Sequence, residues 1–335
     1  MSTPTLAQDG RDHFKIVGSP IVYPYTVAVA EHLGSKTPIK SPLIEATENG
    51  KGISLFCSGI GPQFPDIVST TRPVSQEEMA TCKRNEVKDL IEVQIGYDGM
   101  VVAGNRQMET LQLSREDLYK AISKRVPDPS GQDKLVENPY KSWHEINPAL
   151  PDLPIVVIGP PKHSPELESV RSLLVEPVCE QYELVKALKG SSLAGYMAAC
   201  GSLRRDSGLV EGGASGPERL EALQKHPNAV AILKYGDWQA LNDQLQAMPV
   251  DGVTPSIEKI AVDEYPLSQP LYLYVKKAHW NTVSGLKDFM NEFTLEQTWG
   301  PEGYLAADGL IPLETAERNV NKAKLGWNGH LASNN

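Results

Sequence analysis

The sequence predicts an α/β protein with mostly parallel sheets, because apolar runs of strand length alternate with amphipathic stretches of helical length. Its 335 residues are 40% hydrophobic, so the chain can bury a sizeable core and is long enough for two domains. No apolar run reaches the roughly 18 residues that a membrane-spanning helix needs. We therefore expect a globular α/β chain with no direct membrane span.

The first elements follow from apolar runs and their end signals. Residues 14–17 have the pattern of a strand, and residues 25–33 have that of an amphipathic helix, which Gly34 should end. Ser75 followed by Glu78 forms a capping-box pattern, so a helix should begin there.

An extended stretch comes next. Residues 91–104 are rich in Ile and Val, which predicts strand, with an interruption at Asp98 and Gly99. Ser114 and Asp117 have capping-box spacing and should start a short helix.

The middle of the chain contains a candidate ligand loop. Residues 127–154 are rich in Pro, Asp, Asn and Gly, which predicts a long irregular surface excursion. Residues 154–159 form a buried-strand pattern that leads into the loop 160–164, and residues 166–187 read as a helix broken near Pro177. Because α/β folds bind ligands where a strand leads through a loop into a helix, this loop is expected to be functional.

The remaining elements complete the α/β alternation. They are strands at 229–234 and 271–277 and helices at 237–246, 284–293 and 313–324.

The formal net charge of −10 and the absence of basic runs argue against a nucleic-acid or anionic-membrane partner.

The opening residues 1–8 lack the apolar centre of a signal peptide. We therefore expect a mature chain whose signal peptide is absent from this sequence.

The four cysteines form two well-separated pairs, Cys57 with Cys82 and Cys179 with Cys200. No CxxC motif is present, and two pairs that close short loops are typical of local disulfides in an oxidising compartment. Four buried free thiols in a cytosolic protein are the alternative.

Enzyme signatures are not found in convincing form. The sequence has no dinucleotide-binding GxGxxG after a strand, no phosphate-binding P-loop, no HExxH and no usable GxSxG elbow. His163 lies in the loop 160–164, but a lone histidine is more often a surface or capping residue than a ligand. We therefore expect a binding protein that is not an enzyme and has no metal and no cofactor.

Several blocks resemble a known family: IVGS (16–19), VYP (22–24), LFCSG (55–59), PDI (65–67), IGYDG (95–99), WHEIN (143–147), GPP (159–161), PLYLYVKKAH (270–279) and WGPEGYL (299–305). They resemble the phosphate-binding proteins of bacterial phosphate ABC importers. In the subgroup that the chain resembles, cysteines fall at similar positions, which supports both disulfides.

The resemblance implies a two-lobed, type II periplasmic-binding-protein fold of the α/β class. Lobe I would combine residues 10–100 and 275–335, and lobe II would comprise residues 101–274. Two hinge strands are expected near 97–103 and 271–277, with the ligand bound in the cleft and closure by hinge motion.

In that family, four loops hold a dehydrated oxyanion with backbone N–H groups, hydroxyls and an arginine. The first loop, 18–24, loses one hydroxyl and one N–H at Pro20 and Ile21, and the second loop, 46–52, gains the carboxylate of Glu48. The third loop keeps a hydroxyl and a guanidinium as Thr71 and Arg72.

The fourth loop, 162–168, departs furthest from the family. The family pattern Pro-Thr-Ser-Gly-Thr-Arg-Asp is replaced by KHSPELE, which removes the glycine, a threonine and the arginine, leaves Ser164, and adds acid. A shift of a few residues in this alignment is the alternative, in which case Lys51, Arg204 or Arg205 supplies the missing charge. The resemblance implies these ligand-binding candidates: Ser19, Tyr23, Thr47, Glu48, Asn49, Thr71, Arg72, His163, Ser164 and Arg204.

The sequence therefore predicts a periplasmic solute-binding protein whose specificity is altered from phosphate. The partners would be a small polar or anionic solute and an ABC permease or another envelope protein. One alternative is a degenerate fold that serves as a non-transport interaction or structural subunit of an envelope complex, and ordinary phosphate binding is another.

Overall fold

The computed structural model describes residues His13 to Gly326, which belong to two compact units. The first unit ends at Tyr97 and resumes at Pro270, and the second runs Asp98–Gln269. The opening residues and the ends of the predicted lobe I, 10–12 and 327–335, lie outside the described residues, and the lobe assignment stays a prediction. No helix within the described range is long and apolar enough to cross a bilayer.

The chain first builds the larger part of unit one. Its elements are β1 (Lys15–Gly18), α1 (Tyr23–Lys36), β2 (Leu43–Ala46), α2 (Asn49–Phe56), β3 (Ile67–Thr70), α3 (Gln76–Arg84) and the start of β4 (Leu90–Asn105).

Unit two follows from the second half of β4. It contains α4 (Arg115–Ile122), β5 (Arg125–Pro127), β6 (Leu135–Glu137), α5 (Trp143–Ile146), β7 (Val157–Gly159), α6 (Pro165–Val170), a π-helical segment (Arg171–Val175), α7 (Glu176–Cys179), α8 (Glu183–Ser191), α9 (Leu193–Cys200), β8 (Leu209–Glu211), α10 (Gly216–Lys225), β9 (Val230–Lys234), α11 (Tyr235–Ala240), β10 (Leu245–Ala247) and α12 (Ile257–Ala261).

Strand β11 (Ser268–Lys276) then leads back into unit one. A 3₁₀ turn (Lys277–His279) and four helices follow: α13 (Leu286–Phe293), α14 (Glu296–Trp299), α15 (Tyr304–Ala307) and α16 (Thr315–Lys324).

The sheet of unit one has β1 between β2 and β3, all parallel, and β11 pairs antiparallel with β3. Two buried clusters fill this unit. One contains Phe14 and Phe289, whose ring centroids are 5.2 Å apart, and the other contains Ile53, Phe56 and Val68. The parallel strands therefore end on the same edge, where the loops into α1 and α2 begin.

The sheet of unit two places β9 between β4 and β7, with β8 next to β7. Strands β7, β8 and β9 are parallel, whereas β4 and β10 are antiparallel additions. The side chains of Val101, Ile158 and Ala231 are buried in this sheet. The predicted α/β alternation is therefore present in both units.

Two predicted helix ends were wrong. Helix α1 continues past Gly34 and ends at Lys36, and the amide and hydroxyl of the next residue, Thr37, both donate to the Leu33 carbonyl. Pro38 follows Thr37 and disfavours helical backbone there, so it was the better end signal. The helix predicted at 237–246 ends at Ala240, because Leu245 is buried and pairs with β4 instead.

Two stretches that were predicted to be irregular contain regular structure. The stretch 127–154 contains strand β6, which forms a hairpin with β5, and the short helix α5. Strand β4 runs through Asp98 and Gly99 without interruption. The helix after residue 164 does break near Pro177, as predicted, but just after it rather than at it: α7 ends at Cys179 and α8 begins at Glu183. The π-helical segment directly before α7 already has a wider hydrogen-bond ladder, which accommodates a proline.

Both predicted disulfides are confirmed, Cys57–Cys82 in unit one and Cys179–Cys200 in unit two. The second joins the end of α7 to the end of α9 and encloses helices α8 and α9. The two bridges therefore cross-link local segments within each unit.

Replacing Cys179 and Cys200 together with Ala should lower the free energy of unfolding by about 3 kcal/mol, since the bridge restricts a loop of about 20 residues in the unfolded chain. Urea denaturation of the oxidised proteins measures the difference. With excess dithiothreitol the wild type should lose its advantage over the variant. Equal stability of the two oxidised proteins would contradict this expectation.

Candidate functional site

Unit one brings together four of the predicted ligand residues at the carboxyl ends of β1, β2 and β3. Register places Gly18 beside Ala46 and Ser69, so the residues that follow these strands are neighbours. The Ser19 amide donates to the Ser69 carbonyl at 3.0 Å, and the Thr47 amide donates to the Gly18 carbonyl at 2.6 Å. The backbones of the first and second loops are therefore held side by side.

The second and third loops are joined through Asn49 and Thr71. The Asn49 amide donates to the Thr71 hydroxyl at 2.9 Å, and the Thr71 backbone N–H donates to Asn49 Oδ1 at 3.1 Å. This reciprocal pair fixes Thr71 at the start of α2. The candidates Ser19, Thr47, Asn49 and Thr71 thus form one cluster, called here the hydroxyl cluster.

Close backbone approach at the hydroxyl cluster requires glycine at two positions. A Cβ on Gly18, whose φ is +138°, would lie 2.0 Å from the Ser69 carbonyl oxygen, and a Cβ on Gly52 would lie 2.7 Å from Thr47 Oγ1. Thr47 is buried, and its hydroxyl has no hydrogen-bond partner among the described residues. A buried hydroxyl without a partner is unfavourable, so this group is suited to bonding a ligand.

Two further candidates in unit one are more exposed. Tyr23 opens α1 and is 38% exposed, and Glu48 is the residue before α2, whose side chain does not cap that helix. The carboxylate of Glu48 is therefore a negative charge next to the hydroxyl cluster, as the sequence predicted for the second loop.

The guanidinium of Arg72 is engaged by a carboxylate of this chain. It donates to both oxygens of Glu78 at 2.9 and 2.7 Å and to the Pro73 carbonyl. Glu78 also closes the capping box of α3 with Ser75. The hydrogen bond from Arg72 lowers the pKa of Glu78 from its ordinary 4.5 to about 2, so Glu78 is charged at neutral pH.

Unit two positions the fourth loop at the end of β7. His163 has a left-handed backbone with φ +63°, and its side chain lines the cavity described below. Ser164 caps α6: its oxygen accepts the Leu167 N–H at 3.2 Å, and its hydroxyl donates to the Pro161 carbonyl at 2.8 Å. The Ser164 hydroxyl is thus used within the loop.

Arg204 is buried and has its charge compensated within unit two. It donates to both carboxylate oxygens of Asp206 at 2.6 and 2.7 Å and to the carbonyls of Ala121 and Tyr140. These bonds hold the pKa of Asp206 well below its ordinary range. The two candidate arginines therefore both have carboxylate partners within the chain.

A cavity of about 720 Å³ lies within unit two. Its wall combines the fourth loop with the stretch 201–206, and it includes His163 and Arg204 but not Ser164. Apolar side chains such as Leu167, Val170 and Ile232 line it together with charged side chains. A tetrahedral anion would fill only a small part of this volume, which is in the range of organic-ligand pockets.

Sequence reasoning missed Lys124 and Glu137 at this cavity and named Arg205 only as an alternative source of positive charge. Lys124, Glu137 and Arg205 line it, and none of these three side chains has an ion-pair partner within residues 13–326. Lys124 and Glu137 lie in a stretch that the sequence predicted to be irregular or unassigned. No spacing signal links them to the fourth loop, because only the tertiary fold brings them together.

A family model described as "PBP superfamily domain" matches residues 3–297. The chain belongs to this superfamily. It is similar to Protein SphX of Synechocystis sp., with 26% identity over 314 residues that cover 92% of this chain and 80% of the relative. It is also similar to Phosphate-binding protein PstS of Staphylococcus haemolyticus, with 23% identity over 294 residues that cover 86% of this chain and 78% of the relative.

Solved structures show the same fold. A possible phosphate binding protein from Planctomyces limnophilus has a TM-score of 0.73 at 20% identity, covering 94% of this chain and 97% of that one. An ABC-type phosphate transport receptor from Vibrio cholerae has a TM-score of 0.57 at 18% identity, covering 90% and 100%. The predicted resemblance to phosphate-binding proteins and the predicted type II periplasmic-binding-protein fold are confirmed.

The Arg72–Glu78 pair predicts a pH-dependent contribution to stability. Its two side chains are 43% and 23% exposed, so Arg72→Met should cost less than about 1 kcal/mol at neutral pH. Because the folded pKa of Glu78 is depressed, this contribution is fully present above about pH 4.5 and is lost as the pH falls through about 2.

Urea denaturation of wild type and R72M at several pH values tests the pair. The difference in free energy of unfolding should be largest above about pH 4.5 and shrink on acidification. A difference that stays constant down to about pH 2.5 would show that Arg72 stabilises the chain by contacts other than Glu78.

Proposed function

We propose that this chain is a periplasmic solute-binding protein of a bacterial importer whose specificity is altered from phosphate. The superfamily and the named relatives support the solute-binding part of this proposal. The altered specificity is supported by one observation: in the structure, the fourth loop lacks the arginine, one backbone N–H and a free serine hydroxyl that could bind an oxyanion. The partners would be a small polar or anionic solute and an ABC permease or another envelope protein.

Three donors of the family pattern are missing from the fourth loop or already bonded. Pro165, the first residue of α6, has no N–H, and the Ser164 hydroxyl is committed to the Pro161 carbonyl. Leu167, where the resemblance places the arginine, is a buried apolar residue. Glu168 brings a carboxylate to the cavity wall, where it pairs with Arg171 at 2.5 Å.

These losses are large on the scale of binding energies. A hydrogen bond to a charged group contributes about 1.5 to 3 kcal/mol, and each 1.4 kcal/mol changes affinity about tenfold. The absence of a bidentate arginine and at least two neutral donors would therefore weaken an oxyanion complex by several powers of ten. An anion that is removed from water without these donors remains under-solvated.

The cavity of unit two favours a polar organic solute instead. Its apolar floor can pack against a carbon skeleton, while Arg205 and Lys124 can bond a carboxylate and Glu137 can bond an ammonium group. Groups of both signs in one cavity suit a zwitterion.

A second candidate function has its own supporting observation. Leu193 and Met197 lie one turn apart on α9 and are 68% and 40% exposed, and such exposed apolar pairs occur at protein interfaces. This favours an interaction or structural subunit of an envelope complex in which solute binding is lost.

Calorimetry of the purified protein with phosphate, sulfate and a panel of amino acids separates these functions. We expect heat of binding for a zwitterionic or carboxylate-bearing solute and none for phosphate at micromolar concentrations. Micromolar phosphate binding would contradict the altered specificity. The absence of binding heat with every compound tested would favour the interaction subunit.

A matched pair of variants tests the cavity. Arg205→Ala should weaken binding of the solute found in the panel by at least about tenfold, because it removes a charge-assisted hydrogen bond. Arg84→Ala removes the same charge from an exposed position on α3 and should leave the affinity unchanged. Equal affinities of both variants would exclude Arg205 from the binding site.

A further inference from the structure

A buried ion pair lies next to the cavity wall of unit two. Glu166, on α6, accepts a hydrogen bond from the guanidinium of Arg219, on α10. The Arg219 side chain is 0% exposed and that of Glu166 is 10% exposed. Neither residue was predicted as a functional residue from the sequence.

The positive charge of Arg219 has two backbone carbonyls and one carboxylate as direct partners. Its Nε donates to the Gly213 carbonyl at 3.2 Å and its Nη1 donates to the Ile232 carbonyl at 3.3 Å, while its Nη2 faces Glu166. Carbonyl groups contribute dipoles but no net charge. Glu166 is therefore the residue that supplies a full negative charge by direct contact with Arg219.

The same ion pair adjoins the candidate ligand cavity. Leu167, next to Glu166, lines the cavity, and so does Ile232, whose carbonyl bonds Arg219. Neither Glu166 nor Arg219 itself lines the cavity, so the pair is adjacent to the cavity through Leu167 and Ile232. A shorter neutral residue at position 166 would leave space beside a buried cation.

The local charges favour an anion at this place. Burial raises the pKa of Glu166, whereas Arg219 and the more distant Lys234 oppose that shift and Asp237 adds to it. The group that interacts with Arg219 is thus a carboxylate whose removal from water is costly and is offset by the guanidinium.

We propose that Glu166 is a specificity-determining residue, whose carboxylate occupies the guanidinium of Arg219 and so excludes small oxyanions from this part of the cavity. Two physical effects produce the exclusion. The fork of Arg219 is already bonded, and the negative charge of Glu166 repels a second anion. The inference deepens the proposed altered specificity and rests on it.

The test compares Glu166→Thr and Glu166→Gln with Glu218→Gln. Thr leaves space beside Arg219 and keeps a hydroxyl, while Gln removes only the charge. Glu218 is the neighbour of Arg219 and belongs to the capping box of α10, which a glutamine can also close. Glu218→Gln therefore removes one negative charge, as Glu166→Gln does, but leaves the Arg219 guanidinium bonded to Glu166.

Calorimetry gives the Kd for phosphate and for sulfate, and thermal unfolding gives the Tm with each anion. Sodium chloride of equal ionic strength is the control. For E166T we expect at least a tenfold tighter phosphate or sulfate Kd than for wild type, and a rise in Tm with phosphate that chloride does not produce. E166Q should show a smaller gain, and E218Q should behave as the wild type. Adding Arg219→Met to E166T should abolish the gain.

Each outcome decides the proposal. A folded E166T without an oxyanion-dependent gain overturns it, as does an equal gain in E218Q. If E166T folds only when phosphate or sulfate is present, that rescue supports the proposal. If it folds in neither, E166Q decides by the same comparison with E218Q.

The failure of this inference is distinguishable from that of the proposed function. Micromolar phosphate binding by the wild type refutes the altered specificity, whatever the variants do. A wild type without phosphate binding, together with unresponsive E166T and E166Q, refutes only the role of Glu166.

Discussion

The constraint on which the rest of this structure depends is that a charge removed from water needs an opposite charge or several hydrogen bonds. Buried charges of the chain meet it with groups of their own unit. Asp66 is hydrogen-bonded to the His279 ring at 2.6 Å, and Lys276 donates to the Gly59 carbonyl and lies over the Phe56 ring. An external anion must therefore compete with carboxylates and carbonyls that the fold has already placed.

Burial decides how strongly such competition matters. The pairs Arg72–Glu78 and Arg219–Glu166 contain the same two kinds of group, yet the first is partly exposed and the second lies in the interior. Water screens the first pair, so its loss changes stability little. In the interior, the removal of one partner leaves a desolvated charge, which either destabilises the fold or binds a replacement ion.

Local signals in the sequence were sufficient for much of the fold. The capping boxes at Ser75–Glu78 and Ser114–Asp117 fixed two helix starts, because each needs only residues three apart. The residues of the hydroxyl cluster were named through the resemblance, and the parallel strands of unit one bring them to one edge. Leu245 shows the limit: its pairing with β4 depends on residues 140 positions earlier in the chain, and no local pattern carries that information.

The site of unit two was less predictable for the same reason. The sequence showed that the fourth loop gained acid, but not where that acid points. Glu168 faces the cavity wall, whereas Glu166, two residues away, faces Arg219 in the interior. Under the proposed function, the acid of the loop 162–168 has two separable effects. One carboxylate changes the charge that a solute meets, and the other occupies a cation that the loop could have used.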